Sequence, residues 1–258
     1  MRDLNYKIIA IGEITLRQAK RTKILKISDE KRAVIEKVWQ SSLRKNGKLF
    51  NGLLLNFAAL NISGNKIDLS GNFVEYKQFI ADRKRPELKL NIKPIGVSGM
   101  IIIKESGINY AILAKRTGKV TDHKSFFELV PSGSIDRKFM LGNGNIDYKA
   151  QLLTEFSEET GLPKNYVKKI SGFALVLDTS KNIYDICSII LIDKDMATIK
   201  KYFTSKEYGN PRFVPLKDLD TFIKIGGNSM VPTSTALIKA YEKFIKKTQK
   251  GSLPPHPD

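Results

Sequence analysis

The chain has 258 residues, 41% of them apolar, enough to bury a core as one large domain or two modest ones. Lysine and arginine number 44 against 26 acids, a formal net charge of +18, which favours polyanionic partners, although the basic residues are scattered rather than gathered in blocks. Cys187 is the only cysteine and His123 and His256 the only histidines, which excludes an intrachain disulfide or a multi-cysteine zinc site and argues against a histidine-rich metal site.

In chain order, "YKIIAIGEITL" (Tyr6 to Leu16) reads as an isoleucine-rich strand broken by Gly12. The stretch lacks a signal-peptide layout, and no segment approaches 18 uninterrupted apolar residues. The expectation is no membrane association and a cytoplasmic location. Ser28 or Asp29 caps a helix with Val34, Ile35, Val38, Trp39, Ser42 and Leu43 on one face, ended by Asn46-Gly47. "KLFNGLLLNFAALNISGNKIDLSG" predicts strands joined by a turn at Ser63-Gly64-Asn65, and "NFVEYKQFIADRKRPE" a short helix that stops before Pro86. A charged segment from Asp82 to Lys93 marks the boundary between an N-terminal α+β domain, 1–90, and a second domain, 91–250.

The texture changes after Pro94. "IGVSGMIIIK" and "NYAILAKRTG" predict strands around a turn at Ser106-Gly107, and "SFFELV" a third strand entering a loop, "PSGSID". "RKFMLGNGNID" reads as a glycine- and asparagine-rich insertion before a helix from about Tyr148 to Thr160. Two strands, "VKKISGFALVLD" and "IYDICSIILID", a helix at "MATIKKYF", and a strand and short helix in "PRFVPLKDLDTFI" follow. Cys187, inside the second strand, reads as a buried small hydrophobe. A last helix covers about Ser234 to Lys247, and residues 251–258 read as a disordered tail. This order predicts an α/β or α+β sandwich rather than a doubly wound sheet; the chain has neither a G-x-G-x-x-G motif nor a P-loop lysine motif.

The helix "LLTEFSEETG" carries the chemistry. Glu155, Glu158 and Glu159 stand at i, i+3 and i+4, within an arc of about 100°, while Leu152 and Phe156 anchor an adjoining face. Like charges so close repel unless a cation lies among them. A hard divalent cation wants such clustered oxygens; the plainer alternative is a solvated acidic face.

These residues resemble the Nudix hydrolases, whose box is G-x5-E-x7-R-E-U-x-E-E-x-G-U, with U apolar. "TEFSEETGL" (Thr154 to Leu162) matches its second half except that Thr154 replaces the arginine, and Gly133 in "LVPSG" matches its first glycine. Gly133 and Glu155 are 22 positions apart where the box has 15, so about seven residues are inserted. The first glutamate of the box is absent; Phe139 stands there, with Asp136 or Asp147 as candidate substitutes. "LFNG" and "YKQF" are similar to words in a branch with an extra N-terminal domain, the animal-type UDP-glucose pyrophosphohydrolases, whose lengthened box also lacks the arginine.

The resemblance implies a Nudix-like α/β/α sandwich with a smaller N-terminal α+β domain. It implies cleavage of a nucleoside diphosphate linked to another moiety, above all a UDP-sugar to UMP and sugar 1-phosphate. Mg²⁺, or Mn²⁺, would be held by Glu155, Glu158, Glu159 and the Gly133 carbonyl, with Glu155 the first choice for the base. Arg116 and Lys119, after the second strand, are candidates for phosphate oxygens; the alternative is ordinary turn solvation. Phe50, Asn51 and Tyr76 are candidates for contacting a base, with core packing as the alternative for the two rings. His123 reads as a loop residue. Two other readings stay open: a non-catalytic nucleotide- or RNA-binding module, and a pyrophosphohydrolase acting on capped RNA or dinucleotides.

Overall fold

The computed structural model describes residues 5–20, 27–118, 123–226 and 229–249. The candidate phosphate ligand Lys119 and the expected tail, 251–258, lie outside the described residues.

The first expected strand is in fact two, and they belong to different sheets. β1 (Tyr6–Ile11) is an edge of the large sheet; β2 (Glu13–Gln18) is an edge of a small one. The switch occurs at Gly12, whose N–H donates to Phe173 O at 2.9 Å, while the next N–H, of Glu13, donates to Asn65 O at 2.7 Å. One residue thus hydrogen-bonds to one sheet and its neighbour to the other, which periodicity along the chain does not reveal.

Helix α1 (Asp29–Lys45) starts as expected, with Ser28 Oγ accepting from Lys31 N, Asp29 and Glu30 in the first turn and Arg44 and Lys45 in the last. β3 (Leu53–Ser63) and β4 (Lys66–Glu75) form the predicted hairpin, and α2 (Tyr76–Lys84) follows directly. The small sheet has the order β2-β4-β3, parallel between β2 and β4 and antiparallel between β4 and β3. Ile35 and Ala81 bring α1 and α2 together over Val74, Leu88, Leu90 and Ile92.

The large sheet is built from β5 (Ile95–Glu105), β6 (Ile108–Arg116), β7 (Phe127–Leu129), β8 (Ser132–Ser134), β9 (Val167–Asp178), β10 (Ile183–Ile192) and β11 (Tyr208–Pro215), with β1. Its order is β1-β9-β10-β5-β6-β11, with β7 beside β6 and β8 beside β5. Only β10 and β5 run parallel among the pairs. "PSGSID", expected as a loop, contains β8. The correction has a physical cause: β6 pairs with β5 only from Ile102 to Glu105, so the start of β5 needs another partner. Ser134, Gly133 and Ser132 fill it opposite Gly96, Val97 and Ser98.

Alternation along the strands sends side chains to both faces. One face carries Ile95, Val97, Ile101, Ile103 and Ile112 against Leu152 and Phe156 of α3 (Tyr148–Thr160), Ile199 of α4 (Met196–Tyr202), and Leu16, Leu55, Ile67 and Leu69 of the small sheet. The other carries Met100, Ile102, Leu113, Phe173 and Cys187 against Leu219 of α5 (Leu219–Gly226) and Ala236, Leu237 and Tyr241 of α6 (Pro232–Gln249). The architecture is a mixed α/β sandwich, with helices on both faces of the large sheet and a separate three-stranded sheet on one of them. Among the described residues no helix is long and apolar enough to cross a membrane.

Candidate functional site

Helix α3 is pinned at both ends. Asp147 caps its start, accepting from Ala150 N at 3.0 Å. Gly161 ends it at φ +73°, and a Cβ there would lie 2.2 Å from Thr204 Oγ1, so both the left-handed turn and the close packing require glycine. Leu152 and Phe156, fully buried, lock the helix against the sheet. What remains toward β8 is a stripe at i, i+4 and i+8: Gln151, Glu155 and Glu159.

Each member of the stripe meets the chain between Ser132 and Asp136. Glu159 Oε2 accepts from Ser132 N at 3.2 Å. Glu155 lies against Gly133 so closely that a Cβ there would be 2.4 Å from its Cδ. Gln151, 4% exposed, accepts from Asp136 N at 2.9 Å and donates through Nε2 to Glu155 Oε1 at 2.6 Å. Glu158, at i+3, is exposed. Against the expectation from their spacing, the helix register does not present the three glutamates together but divides them: two face β8 and one is exposed.

Burial pushes the Glu155 carboxyl up to about 7, against the hydrogen bond from Gln151, with the Glu158 charge adding to the rise. Burial, followed by the negative charge of Glu128, pushes Glu159 up to about 9 despite the Ser132 N–H. Glu207, on the loop before β11, adds to both shifts. Lys138 lowers Glu155 from a distance, but its ammonium is paired with Asp136 at 3.8 Å. Two half-buried carboxylates without an ion-pair partner among the described residues are, in donor chemistry, what a hard divalent cation binds. No third such ligand joins them: among the described residues, no three histidine, cysteine, aspartate or glutamate side chains stand close enough together to hold a metal ion.

A second acidic group adjoins the first. Glu128, 5% exposed on β7, is ion-paired through Oε2 with Arg116 Nη1, and the same oxygen accepts from Tyr208 Oη at 2.8 Å. Tyr208 pairs with Arg116 across β11 and β6, and its ring lies under the Arg116 guanidinium, 5.8 Å from centroid to Cζ. Burial and the charges of Glu128 and Glu159 raise the Tyr208 hydroxyl well above its ordinary value. Behind β8, Asp185 is buried on β10 and accepts from Ser98 Oγ at 2.5 Å; burial pushes it up to about 7.

The other predicted residues are placed as follows. Asp147 is occupied as the helix cap, and Asp136 is exposed, caps the short turn at Lys138 and pairs with that lysine. Thr154, in the arginine position, donates to Ala150 O at 3.1 Å and accepts from Lys164 Nζ at 3.0 Å. Asn51 bridges Glu75 Oε1 and Lys77 N, both at 2.9 Å, and fixes the entry to α2. Tyr76 meets Trp39 edge to face, with centroids 6.2 Å apart. Phe50 is 81% exposed. Gln151, Glu128 and Tyr208 are the residues that sequence reasoning missed. Gln151 had a signal, its place four residues before Glu155; Glu128 and Tyr208 have none until the pairings of β6 are known.

No family model and no curated protein matches the chain. Solved structures do. A Nudix hydrolase from M. smegmatis, RenU, aligns at 12% identity over 63% of this chain and 89% of its own, with a TM-score of 0.43. The Nudix domain of Shewanella oneidensis NrtR, solved with ADP ribose, aligns at 13% identity over 62% of this chain and 97% of its own, TM-score 0.36. A C. elegans Ap4A hydrolase aligns at 15% identity over 59% of this chain and 97% of its own, TM-score 0.36.

Proposed function

We propose that the chain is a divalent-metal-dependent hydrolase of a nucleoside diphosphate linked to another moiety, with a UDP-sugar, split to UMP and sugar 1-phosphate, as the first candidate. The observation that carries this reading is the pair Glu155 and Glu159. They are held against Ser132 and Gly133, half-buried, pushed upward by their surroundings, and paired with no cation among the described residues. The match of "TEFSEETGL" to the Nudix box supports it.

Glu155, Glu159, Glu158 and the Gly133 carbonyl would hold Mg²⁺ or Mn²⁺, which supplies positive charge to neutralise a diphosphate and makes water more acidic. Glu155 Oε2, the oxygen not engaged by Gln151, accepts the proton of the attacking water. Arg116, whose guanidinium is held by Glu128 and Tyr208, is the candidate for phosphate oxygens, with Lys119 as a second cation. In the N-terminal part, 1–90, the exposed ring of Phe50 stacks on the base, with Asn51 and Tyr76 supporting that surface.

A second reading is a module that binds a nucleotide or RNA without cleaving it. It is favoured by the lack of convergence of three ligating side chains among the described residues and by the net charge of +18. A panel of nucleotide-sugars, dinucleotides and capped RNA, incubated with Mg²⁺ and resolved by mass, separates the two. Cleavage of a diphosphate linkage supports the hydrolase, and the substrate cleaved fastest names its class. Steeply salt-dependent RNA binding with every diphosphate left intact overturns it.

A further inference from the structure

The box position that carries arginine in the resembling family is Thr154, and its hydroxyl is engaged by Ala150 O and Lys164 Nζ. Glu155 is nevertheless held. Its Oε1 takes the Gln151 Nε2 hydrogen bond at 2.6 Å, from a side chain only 4% exposed. The orientation of that amide follows from its other partner. The backbone N–H of Asp136 can only donate, so the oxygen it meets at 2.9 Å must be the amide carbonyl, which turns the NH₂ toward Glu155. Burial leaves the amide no route to water that would keep both bonds.

Asp136 follows β8, two residues beyond Ser134, so Gln151 also ties Glu155 to the segment that carries Gly133. The carboxylate is thereby confined on two sides, by the Gly133 backbone and by a directed hydrogen bond. We infer that Gln151 is the positioning residue of Glu155, setting its carboxylate for cation binding from one helical turn before it in the chain. The inference rests on the hydrolase reading, in which Glu155 is a ligand. Partners that orient a metal-binding carboxylate are worth roughly 10- to 100-fold in affinity or activity.

The test uses the full chain and two readouts: Mn²⁺ affinity of the free protein, from the electron paramagnetic resonance signal of unbound ion, and kcat against KM for the substrate found in the panel. Gln151→Met keeps the shape and loses both hydrogen bonds. It should lower Mn²⁺ affinity and kcat by roughly 10- to 100-fold with KM little changed. In a Glu155→Gln background the same substitution should have almost no further effect, because a residue acting through Glu155 has nothing left to act on. Gln151→Asn, too short to span Asp136 and Glu155, should behave the same way and serves if Gln151→Met unfolds. An undiminished affinity, or an equal loss in both backgrounds, overturns the inference while leaving the hydrolase reading intact. A wild-type protein that binds no Mn²⁺ and cleaves nothing overturns the reading itself, and the inference with it.

Discussion

Gly133 and Glu155 fix each other's place: a Cβ on the glycine would stand 2.4 Å from the glutamate Oε1. No rotation of the peptide is involved, because Gly133 lies in strand β8 and is not among the glycines with positive φ. The absence of a side chain is what lets α3 bring a carboxylate onto the strand.

Gly133→Ala should therefore act on Glu155 rather than on the backbone. The methyl must displace the carboxylate, at a cost of about 1–3 kcal/mol in stability, as for other overpacked sites. Mn²⁺ affinity should fall by at least tenfold. Urea unfolding and metal titration of the same preparation check both; unchanged affinity would mean that Glu155 is not a ligand.

The raised carboxyl of Glu159 makes a statement about stability. Its folded value, about 9, lies above that of an ordinary glutamate, so the folded state holds the proton more tightly than the unfolded one. The stabilisation is fully present below the unfolded value, near 4.3, and is lost as pH rises toward 9. Without divalent metal, the thermal midpoint should decline across this window. In Glu159→Gln the decline should be shallower, the difference widening with pH. Added Mg²⁺ should raise the wild-type midpoint most at the alkaline end. Parallel pH profiles for the two proteins would contradict the burial of an unpaired carboxyl.

Much of this was legible in the sequence because α3 announces itself locally. Two apolar anchors, clustered glutamates and Gly161 all lie within one stretch, and the helix runs from Tyr148 to Thr160 as expected; that Asp147 caps it emerged only from the structure. Strands β5, β6, β9 and β10 were legible for the same reason, each being a long apolar run between turns. What the sequence hides is set by pairing across distance. Gly12 looked like a break in one strand because the two sheets it joins are completed by residues 53 to 172 positions away. Ser132–Ser134 looked like a loop because nothing local shows that β6 leaves the start of β5 uncovered. Glu128 became part of the site only once β7 placed it opposite Ala114, near Arg116.

That last pair gives another prediction. The Arg116 side chain is 17% exposed and that of Glu128 6%, so Glu128→Ala leaves a largely buried guanidinium without its carboxylate. The expected loss is about 3–5 kcal/mol, the usual effect of removing one partner of a buried ion pair. Pairing the change with Arg116→Met should restore part of it, since the guanidinium no longer needs a counter-charge while the Tyr208 hydroxyl still lacks the acceptor that Glu128 gave it. Chemical denaturation of the two single variants and the double variant measures this. Strict additivity of the two losses would show that the residues are not coupled.

The central claim, that the acidic stripe of α3 is a divalent-cation site serving hydrolysis, meets its most direct test in turnover as a function of Mg²⁺ for wild type and Glu159→Gln. The substitution is nearly isosteric and removes a charge without removing the Ser132 contact, because the amide oxygen can still accept from Ser132 N. The account predicts Mg²⁺-dependent release of UMP and sugar 1-phosphate from a UDP-sugar by the wild type. It predicts that the variant, folded by circular dichroism, loses most of that turnover and needs several-fold more Mg²⁺ for what remains. Wild-type turnover by Glu159→Gln at limiting Mg²⁺ would contradict it.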